Sequence, residues 1–202
     1  MPKIAIIDYG LGNLRSIRKG LEKAGAEAYI TREADVCMAD AVVLPGVGAF
    51  EEAIKNLKPL SHIVYEQVQL GKPLLGVCLG LQLLFSVSTE GGLRRGLDVF
   101  EGKVVELPSN VKVPHMGWNT LKIVKPENPL VNGLPNNSYA YFVHSYYGEV
   151  EDKKDVVAET TYGIVFPSIL SKGNVFATQF HPERSATTGI KILKNFVNYV
   201  KR

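Results

Sequence analysis

The 202-residue sequence is poor in the residues that build special frameworks: two cysteines, one tryptophan, three methionines and four histidines. Cys37 and Cys78 are too few for a disulfide scaffold and fit reduced thiols, or at most one bridge. The formal net charge is only +3, which gives no basis for a nucleic-acid or membrane surface. The longest apolar stretch, residues 74–87, is interrupted by Gly76, Gly80 and Gln82 and falls short of a membrane span. Residues 1–8 lack the length and small-residue cleavage site of a signal peptide, so a cytoplasmic protein is expected. No Cys/His cluster has zinc spacing, and neither metal nor cofactor is expected. Low-complexity segments, linkers and internal repeats are also missing, which leaves a single domain spanning 1–202.

What is present is a rhythm of strand and helix. Ile4 to Ile7, Ala28 to Thr31, Ala41 to Leu44 and Pro73 to Val77 are short apolar runs of the kind buried in parallel sheets. Between them, Leu14, Ile17, Leu21 and Ala24 recur at helical spacing and stop at Gly25. Residues 49–57, 62–70 and 79–86 also read as helices. After Leu97 the helical signal fades and short β-rich runs follow: 103–106, 121–124, 139–143, 156–161 and 175–180. An amphipathic helix with Ile190, Leu193, Phe196, Val197 and Val200 on one face closes the chain. The fold class is therefore α/β: a mostly parallel sheet, helices on both faces, extended by antiparallel strands. In such a sheet ligands bind beyond the C-terminal strand ends, here after Asp8, Leu44 and Val77.

Two familiar motifs fail. Gly10-Leu11-Gly12-Asn13-Leu14-Arg15 has an arginine where a dinucleotide fingerprint needs its third glycine, and Gly71-Lys72 lacks the rest of a P-loop. Gly76-Val77-Cys78-Leu79-Gly80 differs from these. It puts a thiol between an apolar strand and a helix, with glycine at −2 and +2. A nucleophile on such an elbow adopts strained dihedrals and tolerates only small residues two positions away. The helix start favours a thiolate, and the Leu79 N–H is poised to meet an oxyanion. A buried Cys serving as a small hydrophobe has the same local pattern.

A thiolate nucleophile needs an acid/base partner. His181 ends an apolar run, and Pro182 holds it extended, so Glu183 projects from the same side and is able to orient its ring. His115 and His144 also lie near strand ends, and spacing alone does not exclude them; His62 falls inside a helix. Pro45-Gly46-Val47-Gly48 follows a strand neighbouring that of Cys78. It is either an ordinary turn or a backbone able to approach a ligand closely.

Taken together, Pro45 to Gly48, Gly76 to Gln82 and His181-Pro182-Glu183 resemble the class I (triad) glutamine amidotransferases, over essentially the whole chain. The resemblance implies a three-layer, doubly wound, flavodoxin-like fold and a Cys78–His181–Glu183 triad acting on glutamine. It further implies an oxyanion hole from Leu79 and Gly48, or Val47 after a peptide rearrangement, and a glutamine site around Gly46, Gln82, Glu90, Ser145 and Tyr146. Asp8 to Asn13, Pro114 to Asn119 and Tyr141 to Tyr146 narrow the likeness to glutaminase subunits that pass ammonia to a (β/α)8-barrel cyclase subunit of histidine biosynthesis. On that likeness Asn13, Met116, Trp118, Asn119 and Tyr141 would face the partner; core filling is the alternative for Trp118. Subunits serving anthranilate, aminodeoxychorismate or guanylate synthesis share the triad but leave Pro114 to Asn119 unexplained. A non-catalytic regulatory module would be expected to lose the nucleophile or base.

Overall fold

A computed structural model of the chain describes residues 1–32 and 34–202. In chain order the elements are β1 (Lys3–Ile7), α1 (Leu14–Lys23), β2 (Glu27–Thr31), β3 (Ala41–Leu44), α2 (Phe50–Gln69), β4 (Leu74–Val77), α3 (Leu79–Leu83), β5 (Phe85–Ser88), β6 (Arg94–Arg95), β7 (Phe100–Glu106), β8 (His115–Ile123), β9 (Ser138–His144), β10 (Tyr146–Val150), β11 (Val156–Tyr162), β12 (Ile164–Lys172), β13 (Val175–Thr178) and α4 (Ala186–Val200).

A nine-stranded sheet runs β2-β1-β3-β4-β13-β12-β11-β8-β9. Its first five strands pair in parallel and the remaining pairs are antiparallel. Successive residues of β1 alternate between two cores: Ile4 and Ile6 pack with Ile17, Leu21, Ile192 and Phe196 on one face, Ala5 and Ile7 with Phe50, Leu57 and Leu81 on the other. Burial on both faces explains why these strands read as unbroken apolar runs. α1 and α4 thus cover one face, and α2, α3 and part of a second sheet cover the other. Among the described residues no helix is long and apolar enough to cross a membrane.

Four readings of the sequence need correction. The helices expected over 49–57 and 62–70 are one continuous α2 with Pro59 inside it. Pro59 is solvent-exposed, so the backbone carbonyl that loses its helical N–H donor lies on the water side. The helix expected over 79–86 stops at Leu83. Beyond it the chain turns into β5, and the carbonyls of Leu83, Leu84, Phe85 and Ser86 accept the N–H groups of Leu97, Val99, Asp98 and Gly96. Those bonds open a second sheet, β10-β7-β5-β6, which the sequence reading did not anticipate. Strand β12 was also missed. Its Pro167 breaks the strand signal, and the structure accommodates it opposite a register shift between Ala158 and Glu159.

Candidate active site

Cys78 follows β4 and caps α3 with φ 54° and ψ −107°, a conformation disfavoured for a residue with a Cβ. The flanking glycines make the elbow possible. A Cβ on Gly76 would stand 2.9 Å from the Gly80 carbonyl oxygen, and one on Gly80 only 1.8 Å from that of Leu44. Because α3 has only five residues, the helix-dipole effect expected at Cys78 reduces to the free N–H groups of a single turn. The Cys78 backbone N–H donates to Thr178 at 2.7 Å, fastening the elbow to β13.

Beyond β13 the chain carries His181 in extended conformation, with its N–H donating to the Tyr141 carbonyl at 3.0 Å. Ser185 secures the same junction: its hydroxyl donates to the His181 carbonyl at 2.7 Å and accepts the Tyr141 N–H at 2.9 Å. Glu183 Oε1 lies 2.8 Å from His181 Nδ1, with both side chains only 3% exposed. Burial alone would drive His181 neutral. The Cys78 sulfur and the Glu183 carboxylate outweigh it and raise the imidazolium's pKa well above the ordinary range, to about 10. Nε2 is buried without a conventional hydrogen-bond partner among the described residues.

A cavity of about 430 Å³ opens over the thiol, lined by Val47, Gly48, Cys78, Leu79, Gln82, Glu90, Pro114, Val143, His144, Ser145 and Tyr146. The oxyanion candidates Val47, Gly48 and Leu79 therefore sit together at its wall, Gly48 with φ +122°. Of the expected glutamine-site residues, Gln82, Glu90, Ser145 and Tyr146 line the cavity, whereas Gly46 is buried beside Tyr9 and Leu79 and does not. Gln82 Nε2 is committed to the Tyr146 carbonyl at 2.8 Å, so its amide holds the opposite wall. Glu90 accepts the Phe50 N–H at 3.0 Å; burial raises its pKa, partly offset by that bond. This carboxylate links the cavity to the start of α2, two residues past Gly48.

The expected interface residues divide. Met116 and Trp118 project from β8, 63% and 53% exposed, so Trp118 does not fill the core. Its ring meets that of Tyr141, its register partner on β9, edge to face at 5.8 Å. Asn13 instead caps α1, accepting the Ser16 N–H at 3.4 Å. Asn119 turns its amide toward His115 Nε2 at 3.2 Å and the Thr161 carbonyl at 3.0 Å.

The sequence reading missed two side chains at the site. Gln179 Nε2 lies 3.8 Å from Cys78 Sγ, and its carbonyl lies 3.4 Å from Gln82 Nε2. It precedes His181 by two in extended chain, the spacing that brought Glu183 to notice. Tyr9 donates its hydroxyl to the Pro45 carbonyl, and burial pushes the phenol's pKa upward, keeping it a donor. No local pattern announces that contact.

Comparison with known proteins agrees with this geometry. The family profile "Glutamine amidotransferase class-I" matches residues 5–200. The imidazole glycerol phosphate synthase subunit HisH of Methanosarcina acetivorans is 52% identical over 201 residues, covering 98% of each chain. The subunit of the same name from Archaeoglobus fulgidus is 49% identical, covering 98% of this chain and all of that one. Among solved structures, one titled as PurLQS from Thermotoga maritima superposes with a TM-score of 0.77 at 18% identity, covering 98% of both chains. A structure titled as a glutamine amidotransferase gives 0.77 at 20% identity, covering 98% of this chain and 99% of the other. These two structures attest the fold alone; the profile and the near-full-length sequence matches go further. The chain belongs to the class I glutamine amidotransferase family and stands within it among the glutaminase subunits of imidazole glycerol phosphate synthase.

Proposed function

We propose that Cys78, His181 and Glu183 are the catalytic triad of this glutaminase. The observation that carries the assignment is the strained Cys78 elbow opening into a cavity beside a buried His181–Glu183 pair at 2.8 Å. The raised His181 pKa fits a thiolate–imidazolium pair at neutral pH. Cys78 Sγ attacks the side-chain amide carbon of glutamine, and the carbonyl oxygen becomes an oxyanion held by the N–H groups of Leu79 and Gly48, or Val47 after a peptide rearrangement. His181 delivers its proton to the departing amine, releasing ammonia and leaving a glutamyl thioester on Cys78. It then takes a proton from water, whose hydroxide cleaves the thioester to glutamate, and the thiolate returns. Glu183 orients the ring and stabilises the imidazolium throughout. Gly46 shapes the oxyanion loop, Glu90 supplies a carboxylate for the substrate ammonium, and Gln82, Ser145 and Tyr146 form the wall against which the side chain lies.

The ammonia passes to a cyclase subunit, which we take to be a (β/α)8 barrel docked on the exposed face of β8 and β9 around Met116, Trp118 and Tyr141. Asn119 supports that face through the Thr161 carbonyl and Thr120 N–H it binds, whereas Asn13 serves the start of α1. The deciding experiment is glutamate release with and without purified cyclase subunit. Weak turnover alone and strong stimulation by the subunit and its ligand are expected; full activity of the isolated chain would contradict the coupled reading.

A further inference from the structure

Two buried histidines take no part in the chemistry above, and one of them, His144, lines the cavity. His115 and His144 are register partners on β8 and β9, and their rings are joined Nδ1 to Nε2 at 3.0 Å. His144 Nδ1 lies 2.9 Å from the Tyr146 carbonyl oxygen. A carbonyl only accepts, so Nδ1 carries the hydrogen, and in the neutral ring Nε2 is bare. His115 must then donate from its own Nδ1, which leaves its Nε2 bare to accept the Asn119 amide at 3.2 Å. The second Asn119 N–H goes to the Thr161 carbonyl at 3.0 Å, and its oxygen accepts the Thr120 N–H at 2.8 Å. One hydrogen-bond direction is therefore imposed along the whole series, from Asn119 through both imidazoles to the Tyr146 carbonyl. That carbonyl takes Gln82 Nε2 on its other lone pair.

The surroundings hold the series in place. The His115 ring is stacked on Tyr162 at 4.0 Å and on Phe142 at 4.8 Å. Burial keeps both rings uncharged, with pKa values lowered to about 4 for His115 and about 3 for His144. At His144 the nearby His181 and His115 act in the same direction, partly opposed by the Tyr146 carbonyl. A buried polar chain is costly unless every member is satisfied, and here every member is. It ends on the segment Ser145–Tyr146, which faces Cys78 across the cavity.

We infer that Asn119, His115 and His144 are positioning residues: a one-way chain of neutral side chains that holds the Ser145–Tyr146 wall of the glutamine site at its working distance from Cys78. The reading of that wall as part of a glutamine site rests on the glutaminase assignment. The chain itself rests on geometry alone.

The test has two arms. The first is the imidazole ¹⁵N spectrum of the full-length protein at neutral pH. Free histidine prefers hydrogen on Nε2, whereas the chain requires hydrogen on Nδ1 of both His115 and His144; an Nε2–H tautomer at either ring overturns it. The second is glutamine kinetics in the assembled synthase. His115→Phe keeps the stacked ring but removes the donor, and KM for glutamine is expected to rise roughly three- to tenfold with kcat nearly unchanged, the scale of one buried hydrogen bond. His115→Asn places an amide where Nδ1 stood and is expected to restore most of the KM. An unchanged KM in His115→Phe, or no rescue by His115→Asn, overturns the positioning role. Absence of glutamine turnover in the wild-type assembly, with both tautomers as stated, would instead overturn the glutaminase assignment and leave the chain standing.

Discussion

The buried pair His115–His144 and the buried His181 are desolvated alike, yet their pKa values move in opposite directions. His181 lies beside the Cys78 sulfur and the Glu183 carboxylate, and these neighbours raise its pKa to about 10 despite its burial. His115 and His144 have a carbonyl, an amide, aromatic rings and each other, and their pKa values fall to about 4 and 3. All three imidazoles are at most 5% exposed. Desolvation is therefore common to both environments, and the charged neighbours decide the outcome. The histidine proposed as proton carrier is distinguished from the other two by the company it keeps, not by its depth.

The largest effect expected concerns Cys78, the proposed nucleophile beside His181. Cys78→Ser should lower glutamate release by about 10⁴-fold or more, whereas Cys37→Ser, at an exposed thiol, should stay within about twofold. Equal loss in both would remove the assignment. Next, Glu183→Gln should cost about 10³-fold in kcat and lower the His181 pKa, because the amide keeps a hydrogen-bonding shape without the charge. A His181 titration unchanged by that substitution would break the comparison at its centre.

A third expectation follows from the opposite signs of the shifts. His181 binds its proton more tightly folded than unfolded. Its contribution to stability is present below its ordinary pKa of 6.5 and is lost as the pH rises toward about 10. His115 and His144 bind theirs more weakly when folded, so their contribution is present above 6.5 and is lost as the pH falls toward about 4 and 3. Denaturant midpoints measured from pH 4 to 10 should thus decline at both ends. Cys78→Ala should flatten only the alkaline decline, and His115→Phe only the acid one. The smallest effect expected on the fold is that of Trp118→Ala. It should weaken cyclase binding about tenfold or more while shifting Tm by no more than about 2 °C, since the ring is half exposed.

Much of the parallel half was legible before any coordinates. Strands buried on both faces carry their own signal in unbroken apolar runs, and β1 to β4 read as they fold. The Cys78 elbow was legible for the same local reason: a thiol between strand and helix, with glycines whose absent side chains would collide. The antiparallel half was less so. The segment after α3 is held as a strand by residues 96–99, and β12 runs through Pro167 opposite a register shift in its partner. Neither event leaves a mark within its own segment.

By itself the sequence determined which residues are able to do chemistry and roughly where the strands would end, because helix caps, strand patterns and the −2/+2 glycines act over a few residues. Only the tertiary structure decided which histidine keeps a proton. It also turned Asn119 inward while Trp118 faces out, and brought Gln179 to Cys78 and Tyr9 to the Pro45–Gly48 loop. Those outcomes depend on neighbours far away in the chain: Cys78 is about a hundred residues from His181 and Gln179. Electrostatic influence and hydrogen bonding fall off with distance in space, which the sequence does not contain.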